Sequence, residues 1–77
     1  MKILKHKVID HETMHQYKGC IFLNKTMNCN YRDRRFKITE VVGGQVYIIY
    51  IDGLSESFTI GKYVFIDEIE RGIRIQI

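Results

Sequence analysis

The chain has 77 residues, which is near the lower limit for independent folding, so we expect one core and a single domain over residues 1–77. With 45% apolar residues it is too hydrophobic for a disordered segment, and its longest apolar run, residues 46–51, is far shorter than the roughly 20 residues of a membrane-spanning helix. The net charge is +3, but residues 1–37 hold nine Lys and Arg against three Asp and Glu, whereas residues 38–77 hold three against six. This asymmetry predicts a basic surface that can meet nucleic acid or an acidic protein.

The N-terminus and the cysteines indicate the compartment. Residues 1–7 are basic, but no long apolar stretch with a small-residue cleavage site follows them, so we predict no secretory signal peptide. A small secreted domain usually carries four or more cysteines, whereas this chain has only Cys20 and Cys29. We therefore predict a reducing, cytoplasmic location. Cys20 lies in an apolar run and is expected to be a small buried hydrophobe.

The first third of the chain predicts strands and a short helix. Residues 2–9 fit a strand, Asp10 fits the N-cap of a short helix over residues 11–17, and residues 18–23 fit a second strand. Residues 24–33 are rich in asparagine and charge and predict a loop.

The middle of the chain predicts a β-hairpin. Residues 35–42 and 45–51 are strand-like runs separated by Gly43-Gly44, and both glycines tolerate the positive φ angles of a tight turn. The second run is apolar on both faces, which is typical of a central strand covered on both sides or bent around a barrel. Asp52-Gly53 marks the next turn, and residues 56–60 predict a third strand that pairs back.

The last third predicts a short helix followed by a closing strand. Within residues 61–71 the apolar side chains fall on one helical face, and Gly72 stands where a left-handed C-terminal cap belongs. Val64 and Ile66 also fit one face of a strand, so a strand is the alternative for this segment. Residues 73–77 alternate apolar with polar and predict the closing strand.

These elements predict a mainly β (β-rich α+β) domain, either a small curled antiparallel sheet or a five-stranded barrel, with one or two short helices. The predicted core draws on the strands and the helix and consists of Phe36, Ile38, Val46, Ile48, Phe58, Ile60, Ile69, Ile73 and Ile75.

One string has catalytic associations. Residues 11–15, His-Glu-Thr-Met-His, match H-E-x-x-H and resemble the zincin metalloprotease signature, in which two histidines on a helix hold Zn²⁺ and the glutamate activates water. The resemblance covers little beyond the string, and the chain lacks a second long helix to supply a third ligand. We therefore predict no catalytic residue, no metal and no cofactor, and keep a zinc-dependent hydrolase as a distant alternative.

A basic stretch interleaved with aromatic residues, over residues 31–37, is the best candidate for contact with an anionic polymer. Arginines can fork onto phosphates, and an exposed tyrosine can stack on a base. A solvated loop that leads into a strand with an outward basic face explains the same residues. The predicted binding residues are Tyr31, Arg32, Arg34, Arg35 and Lys37.

An ordered set of apolar runs and turns covers the second half of the chain: Phe36-x-Ile38, Gly43-Gly44, residues 46–48, Asp52-Gly53, residues 58–60, and a closing helix with Gly72. This order resembles the small barrels of the Tudor and Src-homology type, and also the short proteins of phages and mobile elements in low-GC bacteria. The resemblance implies a binding module, often an accessory or host-directed one, without naming a ligand.

The functional prediction is a non-enzymatic protein-binding module, such as a phage-type inhibitor or regulator of a host factor. The alternative is a small nucleic-acid-binding β-barrel that uses the basic N-terminal half. A protein partner is preferred because a dedicated nucleic-acid binder usually carries a larger positive excess and clearer stacking aromatics. No membrane partner is predicted.

Overall fold

The computed structural model describes residues 14–27 and 29–77. Its elements, in chain order, are a 3-10 helix (Met14–Tyr17), β1 (Ile21–Asn24), β2 (Arg35–Val42), β3 (Gln45–Tyr50), β4 (Ser57–Gly61), α1 (Lys62–Glu70) and β5 (Arg74–Gln76). The five strands form one antiparallel sheet in the order β4-β3-β2-β1-β5. The mainly β class is confirmed. Of the two predicted architectures the sheet is right, because the strands do not close into a barrel.

The sheet is curled, and α1 spans its two edges. β4 and β5 lie at opposite ends of the strand order, yet α1 packs against both of them and against β3. No helix among the described residues is long and apolar enough to cross a membrane.

The predicted hairpin is confirmed, with an irregularity that redirects its first strand. Gly43 adopts φ +58°, as a tight turn between paired strands requires. The register runs through Ile38 opposite Ile48 and then shifts before Glu40, which faces Tyr47. Strict alternation from Ile38 would point Glu40 into the core. The bulge instead points Val41 inward, where it packs on the buried cluster.

The helical interpretation of residues 61–71 is confirmed, and Gly72 ends the helix as predicted. Gly72 has φ +77°, its N–H donates to the carbonyl of Ile69 at 3.0 Å, and the N–H of Ile73 donates to the carbonyl of Glu68 at 2.9 Å. This is the paired hydrogen bonding of a Schellman cap, in which a glycine takes the left-handed position without a steric penalty. The cap turns the chain directly into β5.

The core lies on one face of the sheet, which we call the core face, and α1 and the 3-10 helix cover it. Its ring contacts centre on Phe22, whose ring centroid is 5.7 Å from that of Phe36, 5.4 Å from Phe65 and 6.1 Å from Tyr17. The buried apolar residues are Met14, Tyr17, Cys20, Phe22, Phe36, Ile38, Val46, Ile48, Tyr50 and Phe65.

Most of the predicted core is confirmed, including the burial of Cys20. The hairpin residues Phe36, Ile38, Val46 and Ile48 are buried. Among the rest, the partly buried residues are Ile60, Ile69 and Ile73.

The predicted burial of Phe58 and Ile75 is wrong. Phe58 faces Ile48 in the register, but it lies on the edge strand β4 and stays 41% exposed. Ile75 is 45% exposed because β5 pairs with β1 so that Ile75 stands opposite Leu23, on the face away from the core. The predicted strand β5 is confirmed, but the prediction that Ile75 lies on its core-facing side is wrong.

The opposite face, which we call the outer face, carries no described helix. Neither alternative predicted for β3, coverage on both sides or bending around a closed barrel, is right: Tyr47 is 42% exposed and Ile49 is partly buried, while Ile48 beneath them is buried. The side chains of this face include Ile21, Leu23, Arg35, Lys37, Glu40, Tyr47, Ile49, Ser57, Thr59 and Ile75.

Several N-terminal predictions lie outside the described residues. The strand over residues 2–9, the cap at Asp10 and most of the helix over residues 11–17 belong to this group. The end of that helix is described and is a 3-10 turn whose Met14 and Tyr17 are fully buried.

Candidate functional site

The structure separates the five predicted binding residues. Arg35 and Lys37 are exposed on the outer face of β2. Tyr31 packs against the core cluster on the other face, and the guanidinium of Arg34 lies over its ring, 5.3 Å from the centroid. Arg32 is exposed in the turn before β2. These residues therefore do not form one continuous basic surface.

Arg35 is paired with Asp52, which follows β3. The Arg35 guanidinium donates from Nε and Nη2 to the two carboxylate oxygens at 3.1 and 2.8 Å, and the Arg35 backbone N–H donates to Oδ2 at 2.9 Å. These hydrogen bonds stabilise the ionised carboxylate and hold the pKa of Asp52 at about 2, below its usual 3.8. A guanidinium held in this way has fewer donors left for a phosphate.

The Arg35–Asp52 pair makes stability sensitive to acid. Because the folded-state pKa of Asp52 is depressed to about 2, the pair stabilises fully above the unfolded carboxyl pKa of about 3.9, and this contribution is lost as the pH falls toward about 2. We expect Asp52→Asn and Arg35→Gln to flatten the decline of Tm across this window, as measured by circular-dichroism melts. Asp33 and Glu40, whose pKa values are also lowered by hydrogen bonds, should maintain part of the decline.

Lys37→Gln is the matched control for this prediction. Lys37 lies on the same face of the same strand as Arg35 but forms no ion pair with another described residue, so its loss should leave the acid-dependent slope unchanged. Parallel slopes for wild type and Asp52→Asn would contradict the proposed linkage.

Tyr31 belongs to an aromatic cluster and not to a free stacking surface. Its ring centroid lies 4.6 Å from that of Tyr50 and 5.0 Å from that of Phe58. Its hydroxyl donates to the Glu56 carboxylate, and this hydrogen bond raises the pKa of Tyr31 above its usual 10.0. A carboxylate oxygen of Glu56 also lies 3.9 Å from Arg34 Nη1, so this arginine too is close to an acidic partner.

Arg32 is engaged inside its own loop. Its Nη1 donates to the carbonyl of Lys25 at 3.2 Å, and its Nε lies 3.9 Å from the Asp33 carboxylate. Lys25 Nζ also donates to Asp33, at 2.5 Å, and this hydrogen bond lowers the pKa of Asp33. Among the five predicted residues, Lys37 is thus the cation without a carboxylate neighbour in the described part of the chain.

A pocket of about 220 Å³ opens beside Tyr31, on the core side of the sheet. We call it the aromatic pocket. It is lined by residues from four strands and the loop after β1, because the curl of the sheet brings both of its edges to the same opening. The lining residues are Asn24, Thr26, Cys29, Tyr31, Ile48, Tyr50, Phe58, Thr59, Ile60 and Arg74.

Asn24 organises the polar wall of the aromatic pocket. Its side chain is buried, its Nδ2 donates to the Tyr50 hydroxyl at 2.9 Å, and its Oδ1 accepts hydrogen bonds from the N–H and hydroxyl of Thr26 at 2.9 and 2.6 Å. The sequence assigned Asn24 to a loop, whereas it is the last residue of β1. The sequence signal for its burial is its position two residues after Phe22, because alternate residues of a strand point to the same face.

Arg74 brings a cation to the same wall. Its side chain is only 11% exposed, its Nε lies 3.3 Å from the Glu68 carboxylate, and its guanidinium lies over the Phe36 ring, 5.5 Å from the centroid. Its Nη1 is buried and has no hydrogen-bond partner among the described residues. The predicted burial of Ile73 and Ile75 implies an outward Arg74. Only its pairing opposite Asn24 shows that it points to the core side.

Residues 11–13 of the zincin-like string lie outside the described range. Met14 is buried and His15 is exposed. Across residues 14–27 and 29–77, no three His, Cys, Asp or Glu side chains come close enough to hold a metal ion. Cys20 and Cys29 are not joined by a disulfide bond.

The chain matches no protein-family model, no curated protein and no solved structure. The resemblance to Tudor-type barrels and to phage proteins thus stays a prediction, and the geometry alone carries the functional argument.

Proposed function

We propose that the chain is a non-enzymatic module that binds another protein through the outer face of its sheet. The observation that carries the proposal is that described helices cover only the core face, while apolar side chains such as Tyr47 and Ile75 stay 42% and 45% exposed on the other. Exposed apolar patches on a small domain mark interaction surfaces. A cytoplasmic setting fits two cysteines that are not joined by a disulfide bond, and a phage-type inhibitor or regulator is one form of such a module.

The outer face has a charge pattern that specifies its partner. Lys37 stands between Ile21 on β1 and Ile49 on β3, so a cation with no carboxylate partner among the described residues is flanked by aliphatic side chains. The other charges of this face, on Arg35 and Glu40, are balanced by Asp52 and Lys18. The complementary surface is a carboxylate surrounded by apolar groups, which would steer encounter by charge and gain affinity from apolar burial.

The edge of the sheet extends this surface at β4. A shallow depression of about 420 Å³ lies there, lined by Thr39, Tyr47, Ile48, Ser57, Phe58 and Thr59. Tyr50 N–H donates to the Glu56 carbonyl at 2.8 Å, so the even-numbered residues of this segment bond to β3. The backbone groups of Ser57 and Thr59 therefore point away from β3. β4 has no charged residue or proline to discourage pairing, so the partner can add an extended segment there.

The decisive test compares two substitutions on the outer face with a control substitution on α1. Tyr47→Ala on the outer face is expected to weaken a captured protein partner about 30-fold, the loss typical of a central aromatic residue in an interface. Lys37→Glu should weaken it about 10-fold or more, chiefly by slowing association. Partners would be captured from a nuclease-treated bacterial lysate, identified by mass spectrometry and measured as purified proteins by surface plasmon resonance.

Tyr63→Ala is the control, because Tyr63 is 72% exposed on α1 and does not belong to the outer face. All three variants should keep the wild-type Tm within a few degrees. A partner that binds wild type and Tyr47→Ala with equal affinity would rule out the outer face as the interface.

The nucleic-acid alternative is tested in the same preparation. Arg32, Arg34 and Arg35 lie near carboxylates, so we expect no saturable binding of labelled single- or double-stranded oligonucleotides at near-physiological salt. Micromolar or tighter binding that disappears in the triple alanine variant would replace the protein-binding proposal with a nucleic-acid-binding one.

A further inference from the structure

The aromatic pocket holds two hydrogen-bond donors that lack an acceptor. The Tyr50 hydroxyl accepts a hydrogen bond from Asn24, but its own proton has no acceptor among the described residues. Arg74 Nη1 is buried and has no partner in residues 14–27 and 29–77, although the Nε of the same side chain reaches Glu68. A buried hydrogen-bond donor without an acceptor destabilises a fold, and the destabilisation is largest for a charged donor. An unsatisfied buried donor in a pocket therefore indicates a position where a ligand atom can bind.

The two residues that carry these donors both lie next to Asn24. Asn24 and Arg74 stand directly opposite each other in the β1–β5 ladder, which places their Cβ atoms roughly 5 Å apart. The Asn24 amide in turn holds the Tyr50 hydroxyl at 2.9 Å. Both the Arg74 guanidinium and the Tyr50 ring lie 5.5 Å from the centroid of the Phe36 ring. Arg74 and Tyr50 are therefore both neighbours of Asn24 in the wall of the pocket.

The remaining walls of the pocket are apolar and aromatic. Tyr31, Phe58, Ile48 and Ile60 line it, and no aspartate or glutamate is among the lining residues. Its volume of about 220 Å³ exceeds the roughly 150 Å³ of an apolar cavity that accommodates benzene. The pocket thus has room for one aromatic ring beside a site for a negative charge.

We propose that the aromatic pocket binds a small carboxylate whose body is a single aromatic ring. The carboxylate accepts hydrogen bonds from Arg74 Nη1 and the Tyr50 hydroxyl, and the ring packs against Tyr31 and Phe58. The site lies on the core side of the sheet, so it is distinct from the outer face and does not depend on the proposed protein partner.

The test is a ¹⁵N NMR titration of the full chain with three probes. Benzoate carries ring and charge, benzamide carries the ring alone, and acetate carries the charge alone. We expect benzoate to shift resonances of the pocket residues saturably and to bind about 10-fold or more tightly than either other probe, because a hydrogen bond to a charged group contributes more than one to a neutral group.

Two substitutions assign the carboxylate position. Arg74→Gln should remove the preference for benzoate over benzamide, and Tyr50→Phe should weaken benzoate about 10-fold while leaving benzamide almost unchanged. Tyr50→Phe keeps the ring, so it tests the site even if Arg74→Gln does not fold. Arg71→Gln, which removes an exposed arginine at the end of α1, should bind as wild type does. Equal affinity for benzoate and benzamide in the wild type, or a preference that persists in both pocket variants, would overturn the proposal.

Discussion

Phe36→Ala is expected to destabilise the domain by about 3 to 5 kcal/mol, the usual effect of removing a buried aromatic ring. Phe36 is fully buried, and its ring centroid lies 5.7 Å from Phe22, 5.5 Å from Tyr50 and 6.0 Å from Phe65. A single core of this size rarely supplies more than about 3 to 5 kcal/mol of net stability. The variant should therefore be largely unfolded at 25 °C, as measured by urea titration of the far-ultraviolet circular dichroism.

Phe58→Ala is the matched control, because Phe58 is the same residue type but 41% exposed on the edge strand. It should reduce stability by only about 1 to 2 kcal/mol, since less apolar area returns to water. Phe36→Leu, which keeps most of the volume, should fall between the two and remain measurable if the alanine variant does not fold. Similar midpoints for Phe36→Ala and Phe58→Ala would mean that the core is not centred where the structure places it.

Asn24→Ala is expected to destabilise the domain by about 2 to 4 kcal/mol, although it removes only a small polar side chain. The substitution leaves the backbone N–H of Thr26 without its acceptor at 2.9 Å and the Tyr50 hydroxyl without its donor, also at 2.9 Å. It also removes the acceptor of the Thr26 hydroxyl, at 2.6 Å. Thermal and urea unfolding of the variant give the free-energy difference directly.

Asn30→Ala supplies the control, because Asn30 is an exposed asparagine in the same loop and should change stability by less than about 0.5 kcal/mol. A double-mutant cycle of Asn24→Ala with Tyr50→Phe isolates the single hydrogen bond, whose coupling should be about 0.5 to 1.5 kcal/mol. Additive effects of the two substitutions would show that the bond does not stabilise the folded state.

The candidate sites depend on contacts that no local pattern contains. Tyr31 was identified from its neighbours, but its partner Glu56 lies 25 residues away, and Asp52 lies 17 residues from Arg35. The basic stretch was therefore visible in the sequence, whereas its pairing with carboxylates was not. The position of Arg74 is a second example. Alternation in a strand shows which residues share a face, but it does not show which of the two faces is buried.

Local preferences along the chain account for the secondary structure of its second half. Alternation in residues 35–42 and 45–50, the Gly43-Gly44 turn and the Gly72 cap follow from backbone preferences and side-chain periodicity, which act within a few residues. Which face of the sheet is covered by helices depends on tertiary contacts. That choice depends on how α1 packs and on how β5 pairs with β1, through contacts between residues about 50 positions apart whose cooperative packing has no counterpart in local spacing.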